Sequence, residues 1–242
     1  MSTNTNTKMR IKFTKLGDLR YISHLDLMQT ISRAMRRAKV PIAFSQGYNP
    51  HHIMSLGSAL ALGLTSDAEY MDIELKEEMA GDKFIEEMVP HLPEGLKFLQ
   101  AEMIPFKTKS LMAQINIAVY LINLKTDLEK EGLEATINEF YNQEKIIIDR
   151  IRTKRGKKKV RKVDLKALMR ELKVIYLDGM PILKMTVQTG SRGNARPEEV
   201  MGALVEYAEG KIEEVPLTFV HRLGLYVEDD DKLLTPFEVA RN

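Results

Sequence analysis

One order of hydrophobic periodicities, met twice along the chain, constrains its fold more than any single motif. MRIKFTK (9–15) alternates, with Ile11 and Phe13 between polar residues, the two-residue period of a half-buried strand. Ser23 then opens a helical pattern: Leu27, Ile31, Ala34, Met35 and Ala38 share one face, and Pro41 ends the run. The loop AFSQGYNPHH (43–52) leads to an apolar stretch around 53–62. AEYMDIELK (68–76) alternates again, with Tyr70, Asp72 and Glu74 on one face and Met71, Ile73 and Leu75 on the other. Residues 81–91 have helical spacing through Phe84, Ile85, Met88 and Val89, and GLKFLQAEMI (95–104) reads as a strand. The order is β-α-β-β-α-β.

The second round is more elaborate. QINIAVYLINL (114–124) is a strand, and 127–142 a helix with Leu128, Leu133, Ile137 and Phe140 apolar. KIIIDRI (145–151) is a further strand, followed by a basic run. ELKVIYLDGMPILKMTVQT (171–189) is a hairpin turning at Asp178-Gly179, a favoured turn pair. Pro197 starts a helix that ends near 208, and LTFVHRLGLYV (217–227) is the last strand. These patterns predict an α+β chain of two tandem ferredoxin-like (β-α-β-β-α-β) domains, 9–104 and 114–242. A linker at 105–113 joins them, a basic insertion at 152–163 decorates the second, and residues 1–8 are a polar, disordered tail. The halves share architecture without recognisable sequence identity.

Composition removes several function classes. The 242 residues contain no cysteine, which excludes disulfides, a thiolate nucleophile, cysteine-ligated zinc and a protein-held iron–sulfur cluster. No apolar run approaches the ~20 residues of a membrane span, and MSTNTNTK lacks the apolar core of a signal peptide. A cytoplasmic protein without membrane partners is expected.

The net charge of +2 conceals segregation. Residues 8–39 hold nine Lys/Arg against two Asp, residues 67–102 eleven Asp/Glu against three Lys, and residues 150–173 twelve Lys/Arg against two acids. Basic blocks of this size predict a polyanionic partner unless the acidic block faces them in the fold. On the first helix Arg33, Arg36 and Arg37 lie opposite the apolar stripe, with no acid four residues away. TKRGKKKVRK (153–162) carries the strongest signal. On a hairpin tip, Lys154, Arg155, Lys157, Lys158, Lys159, Arg161 and Lys162 would suit a phosphate backbone. TGSRGNARPEE (189–199) is a Gly-rich loop entering a helix, where backbone N–H groups with Arg192 and Arg196 would hold a phosphate. Glu198 and Glu199 compete for the same helix end.

YISHLDLMQ (21–29) and GYNPHH (47–52) form the second candidate site. Ser23 with Asp26 has the spacing of a capping box, which accounts for both without chemistry. His24 stays outside that account. A polar pocket of Tyr21, His24, Asp26, Tyr48, Asn49 and His51 is one reading, gripping RNA or a partner. A general acid–base pair of His24 with Tyr21 or Ser23, cleaving RNA without a metal, is another. Three histidines (His24, His51, His52) with Asp26 could hold a divalent metal, but HxD and HH are not a strong zinc signature, so neither a metal nor another cofactor is expected.

RYISHLDLMQTISRAMRRAKVPIAFSQGYNPHH (20–52) and LALGLTSDAEYMDIEL (60–75), with RPEEV (196–200) and HRLGLY (221–226), resemble the bacterial radical SAM-linked protein family, a domain of unknown function. The chain departs from that pattern at His52 and Ile53, where the family has proline and lysine. The resemblance implies an accessory role in RNA or ribosome-related modification beside a radical SAM partner, with tRNA or rRNA as ligand, and brings no catalytic residues. Tandem ferredoxin-like architecture is also similar to that of the repeat-processing endoribonucleases of CRISPR systems. Three functions therefore stand as expectations: a non-catalytic RNA-binding accessory protein, an endoribonuclease using His24, and a protein-interaction subunit docking through acidic 67–102.

Overall fold

The computed structural model describes residues 7–154, 157–230 and 232–241. It is a mixed α+β structure. In chain order the elements are β1 (Thr7–Lys15), α1 (His24–Arg37), β2 (Met54–Leu56), β3 (Thr65–Leu75), α2 (Gly81–Met88), β4 (Phe98–Ile104), α3 (Leu111–Gln114), β5 (Ile117–Asn123), α4 (Lys130–Tyr141), β6 (Ile147–Lys154), β7 (Lys157–Asp164), β8 (Met169–Leu177), β9 (Met180–Gln188), α5 (Pro197–Tyr207), β10 (Val220–Asp229), β11 (Lys232–Leu234) and α6 (Pro236–Arg241). They form two compact units: the first holds the described residues up to Ile117 and those from His221 onward, the second Ala118–Val220.

In the first unit β1 lies antiparallel between β3 and β4, with Met9 opposite Ile73 and Met103, and Ile11 opposite Met71 and Ala101. The outer edge of β3 is shared. β2 covers its later half, Leu56 opposite Met71, and β10 runs parallel to its start, His221 opposite Thr65. One face of this sheet buries Met9, Ile11, Phe13, Met71, Ile73 and Leu75 in one core with Leu27, Ile31 and Met35 of α1 and Phe84 and Met88 of α2. The stripe on α1 is the one the sequence predicts. Alternation along β3 sets Tyr70 and Asp72 on the opposite face, and they are buried as well. There Arg10 forms two hydrogen bonds to its cross-strand partner Asp72, at 2.7 and 2.9 Å. It donates further to the Pro236 carbonyl and to Gln114 Oε1, while Phe237 packs edge-on to Tyr70. A buried arginine is tolerable because each face of its charge has an acceptor.

Three sequence boundaries differ from the structure. Of the tail expected at 1–8, Thr7 and Lys8 belong to β1, and the rest lie outside the described residues. The expected linker 105–113 contains most of α3, whose Leu111 and Gln114 are buried, and Lys8 donates to the Thr108 carbonyl. Within the strand expected at 217–227, a 3-10 turn occupies Leu217–Phe219, and from His221 the chain returns to β3 in the first unit. Edge pairing across some 150 residues leaves no trace in local periodicity.

The second unit contains the order β5-β9-β8 and a separate two-stranded sheet, β6-β7. Asp178 and Gly179 both have positive φ, 50° and 79°, as the two-residue turn between β8 and β9 requires. Leu133, Ile137 and Phe140 of α4 and Val200 and Leu204 of α5 are buried.

Candidate nucleic-acid interface

The basic run folds as the hairpin β6-β7. Its register sets Asp149 opposite Lys162, Arg150 opposite Arg161, Arg152 opposite Lys159, Thr153 opposite Lys158 and Lys154 opposite Lys157. Three of these five register positions set a basic residue opposite a basic residue. The side chains of Lys158, Lys159, Arg161 and Lys162 are exposed. Arg155, and the side chains of Arg152, Lys154 and Lys157, lie outside the described residues.

At the base of the hairpin is a cleft of about 370 Å³. Arg150, Arg161 and Lys162 line one side and Gly190, Ser191, Arg192, Gly193 and Asn194 the other. The basic run and the Gly-rich loop, 30 residues apart in sequence, thus build one concavity. A Cβ at Gly193 would stand 2.8 Å from Leu168 Cδ2 and 3.0 Å from Gln188 Cδ, so the ends of those side chains would have to move aside. Asp164 also lines the cleft, but its Oδ1 accepts the N–H groups of Ile146 and Lys166 at 3.1 and 3.0 Å.

Glu199 settles the competition at the start of α5. Its Oε2 accepts the Arg196 backbone N–H at 3.2 Å, so the helix end is held by the protein's own carboxylate. Both Glu199 oxygens accept from Arg150, at 2.7 and 2.5 Å, and Arg150 also donates to the Asn194 carbonyl at 2.8 Å. Arg150 therefore fixes hairpin, loop and helix together. Arg192 is exposed at the cleft and Arg196 is exposed as the helix N-cap residue. Arg150 and Asn194 were invisible to motif reading, because their roles come from the juxtaposition of distant segments.

In the first unit the cap at Ser23 forms as the spacing predicts: Ser23 Oγ accepts the Asp26 N–H at 3.1 Å and donates to Asp26 Oδ2 at 2.6 Å. His24 and Tyr21 are exposed at this helix start. Tyr48, Asn49 and His51 are exposed on the loop after α1. His51 Nδ1 is 2.9 Å from Ser45 Oγ within that loop. The histidine that turns inward is His52, whose Nδ1 is 2.9 Å from Ser32 Oγ on α1 and whose ring meets Phe44 edge-on. Burial, with the charges of Arg36 and Lys76, pulls the His52 pKa below its ordinary value. Arg33 and Arg36 are exposed, and Arg37 donates to the His91 carbonyl. Among the described residues no three His, Asp or Glu side chains gather as metal ligands.

Two groups of polar residues gather where β10 meets β3, the first buried and the second partly exposed. Arg222 Nη1 donates to both oxygens of Glu69, at 3.1 and 3.2 Å, and Lys15 Nζ to the Ile22 carbonyl at 3.1 Å. Thr65 Oγ1 stands 2.8 Å from His221 Nδ1, and His221 Nε2 3.0 Å from Asp67. These contacts tie the start of β10 to β3.

Fold and cleft together define an α+β protein with a basic hairpin set over a Gly-rich loop. It belongs to a family described as an uncharacterized protein conserved in bacteria (DUF2344), which matches residues 8–197. A search of curated proteins gives no match. Among solved structures the chain is similar to one in the "Crystal Structure of a Cbf5-Nop10-Gar1 Complex", at 10% identity and a TM-score of 0.48, over 92% of this chain and 50% of that one. It is also similar to an unknown protein from Galdieria sulphuraria, at 12% identity and a TM-score of 0.25, over 87% of this chain and 99% of the other. The chain spans half the length of the first, and at these scores neither likeness bears on function. Among the described residues no helix is long and apolar enough to cross a membrane.

Proposed function

We propose that this protein binds RNA through the β6-β7 hairpin and the cleft at its base, as a non-catalytic accessory to a modifying enzyme. The observation that carries the proposal is the convergence of Arg161, Lys162 and Arg192 on one cleft below a hairpin whose register sets basic residues opposite one another. Exposed cations on a two-stranded ribbon suit contacts to phosphates along a backbone, and the cleft offers a place for one phosphate. The resemblance to radical SAM-linked proteins supports a cytoplasmic role in RNA or ribosome-related modification, presenting tRNA or rRNA to a radical SAM partner. A tandem ferredoxin-like architecture is part of the same reading. The β4-β1-β3 order of the first unit, with β2 on β3 and helices α1 and α2 as crossovers, supports it.

The test is binding of tRNA and rRNA fragments to the parent chain and to Arg161→Ala/Arg192→Ala, at physiological salt. Two lost charge-assisted contacts should weaken binding by roughly 10- to 100-fold. Equal affinity of the two proteins would place the ligand elsewhere.

A further inference from the structure

We infer that the 44–52 loop of the first unit is a stacking platform for an unpaired base of single-stranded RNA, with Tyr48 as its ring. The inference rests on RNA as the ligand but uses a surface separate from the hairpin cleft. Tyr48 is 105% exposed, so its whole ring stands in water. The loop beneath it is not slack. Phe44 and His52 form a backbone bridge, Ser45 N–H donates to the His51 carbonyl at 2.8 Å, and His51 N–H donates to Ser45 Oγ at 3.1 Å. Below them Ile53 N–H donates to the Ala43 carbonyl, and Ala43 N–H to the Glu74 carbonyl of β3. Gly47, with φ of 124°, makes the turn a side chain would strain, and Pro50 stiffens the return.

The loop backbone that carries the ring is pinned at its base, so it loses little freedom when a base lies on the ring. The base of the loop is cationic. His52 joins it to Ser32 of α1, next to exposed Arg33 and Arg36, and Lys76 stands 5.2 Å from the centre of the Phe44 ring, itself 38% exposed. Aromatic rings interleaved with cations are the pairing that grips a single strand, bases on the rings and phosphates on the charges. Duplex RNA keeps its bases stacked inside and offers nothing to Tyr48.

The chain contains no tryptophan, so Tyr48→Trp places a single indole at the tip of the loop. Oligouridine and a blunt RNA duplex of equal phosphate number are titrated against this variant at 0.15 M salt, reading tryptophan emission and ligand anisotropy together. The expected result is emission that changes in step with oligouridine binding and does not change with the duplex. Tyr48→Ala should weaken oligouridine binding about 5- to 100-fold with an unchanged salt slope. Binding by anisotropy with constant emission, together with unchanged affinity in Tyr48→Ala, overturns the platform and leaves the hairpin reading in place. No binding of either RNA, nor of tRNA and rRNA fragments, by the parent chain overturns both.

Discussion

Replacing Glu69 by alanine should unfold the first unit far more readily than loss of one side chain of its size. Glu69 is 4% exposed, is paired with Arg222 and feels the charge of Lys15, two cations buried still more deeply, at 2% and 1%. Burial drives the Lys15 pKa below the ordinary lysine value; the Glu69 charge opposes that shift and Arg222 adds to it. Burial likewise raises the Glu69 pKa, with Arg222 the main opposing influence. Without the carboxylate, two positive charges remain in a site built for one net charge, and breaking a buried pair from one side costs about 3–5 kcal/mol. Adding Lys15→Met removes one of the two cations and should recover on the order of 2 kcal/mol. Urea unfolding of parent, Glu69→Ala and Glu69→Ala/Lys15→Met, followed by tyrosine near-ultraviolet dichroism, measures both differences. A single variant within about 1 kcal/mol of the parent, or a double variant no more stable than the single, would refute the reasoning.

Three further outcomes follow from the same contacts. Glu199→Gln removes the anion that holds Arg150, so stability should fall by about 1–3 kcal/mol, while RNA binding tightens and its salt slope steepens by roughly 0.7; weaker binding would mean that Arg150 does not face the ligand. His52, held by burial and then by Arg36 and Lys76 below its ordinary 6.5, stays neutral in the fold while the unfolded chain takes up a proton first. Stability should therefore decline as pH falls through 6.5 toward the lowered value, and His52→Asn should flatten that part of the Tm-versus-pH curve; an unchanged curve would assign the slope to other groups. Gly81→Ala would set a Cβ 1.8 Å from the Ala101 carbonyl oxygen, so α2 must shift off β4. The expected loss is about 1–3 kcal/mol by thermal denaturation, and a Tm equal to that of the parent would contradict the close approach.

Local physics was legible in the sequence and long-range pairing was not. The apolar stripe of α1, the Ser23 cap and the Asp178-Gly179 turn depend on neighbours within a few residues, and each formed as its pattern predicts. The basic run could be placed on a hairpin because apolar KIIID precedes it. Its meeting with Arg192 could not be foreseen, because loop 190–194 reaches the hairpin only through the fold of the unit. Alternation along β3 says that two faces exist but not that both are covered, and Tyr70 and Asp72 are buried because Pro236, Phe237 and Gln114 close the second face. His51 and His52 are equivalent in sequence. Strand pairing at Phe44 decides that His52 turns inward while His51 stays with the exposed loop.

Salt-dependent RNA binding tests the central claim most directly. Anisotropy of labelled tRNA and rRNA fragments is followed from 0.05 to 0.5 M salt for the parent chain and for Lys158→Ala/Lys159→Ala/Arg161→Ala, with the same samples run on a gel. The account predicts retained binding of the parent near physiological salt, a log–log slope shallower by roughly 0.7–0.9 for each contact removed, and intact RNA. Parent binding that vanishes by about 0.15 M salt, a range where specific nucleic-acid complexes persist, or a slope unchanged in the variant, would contradict it.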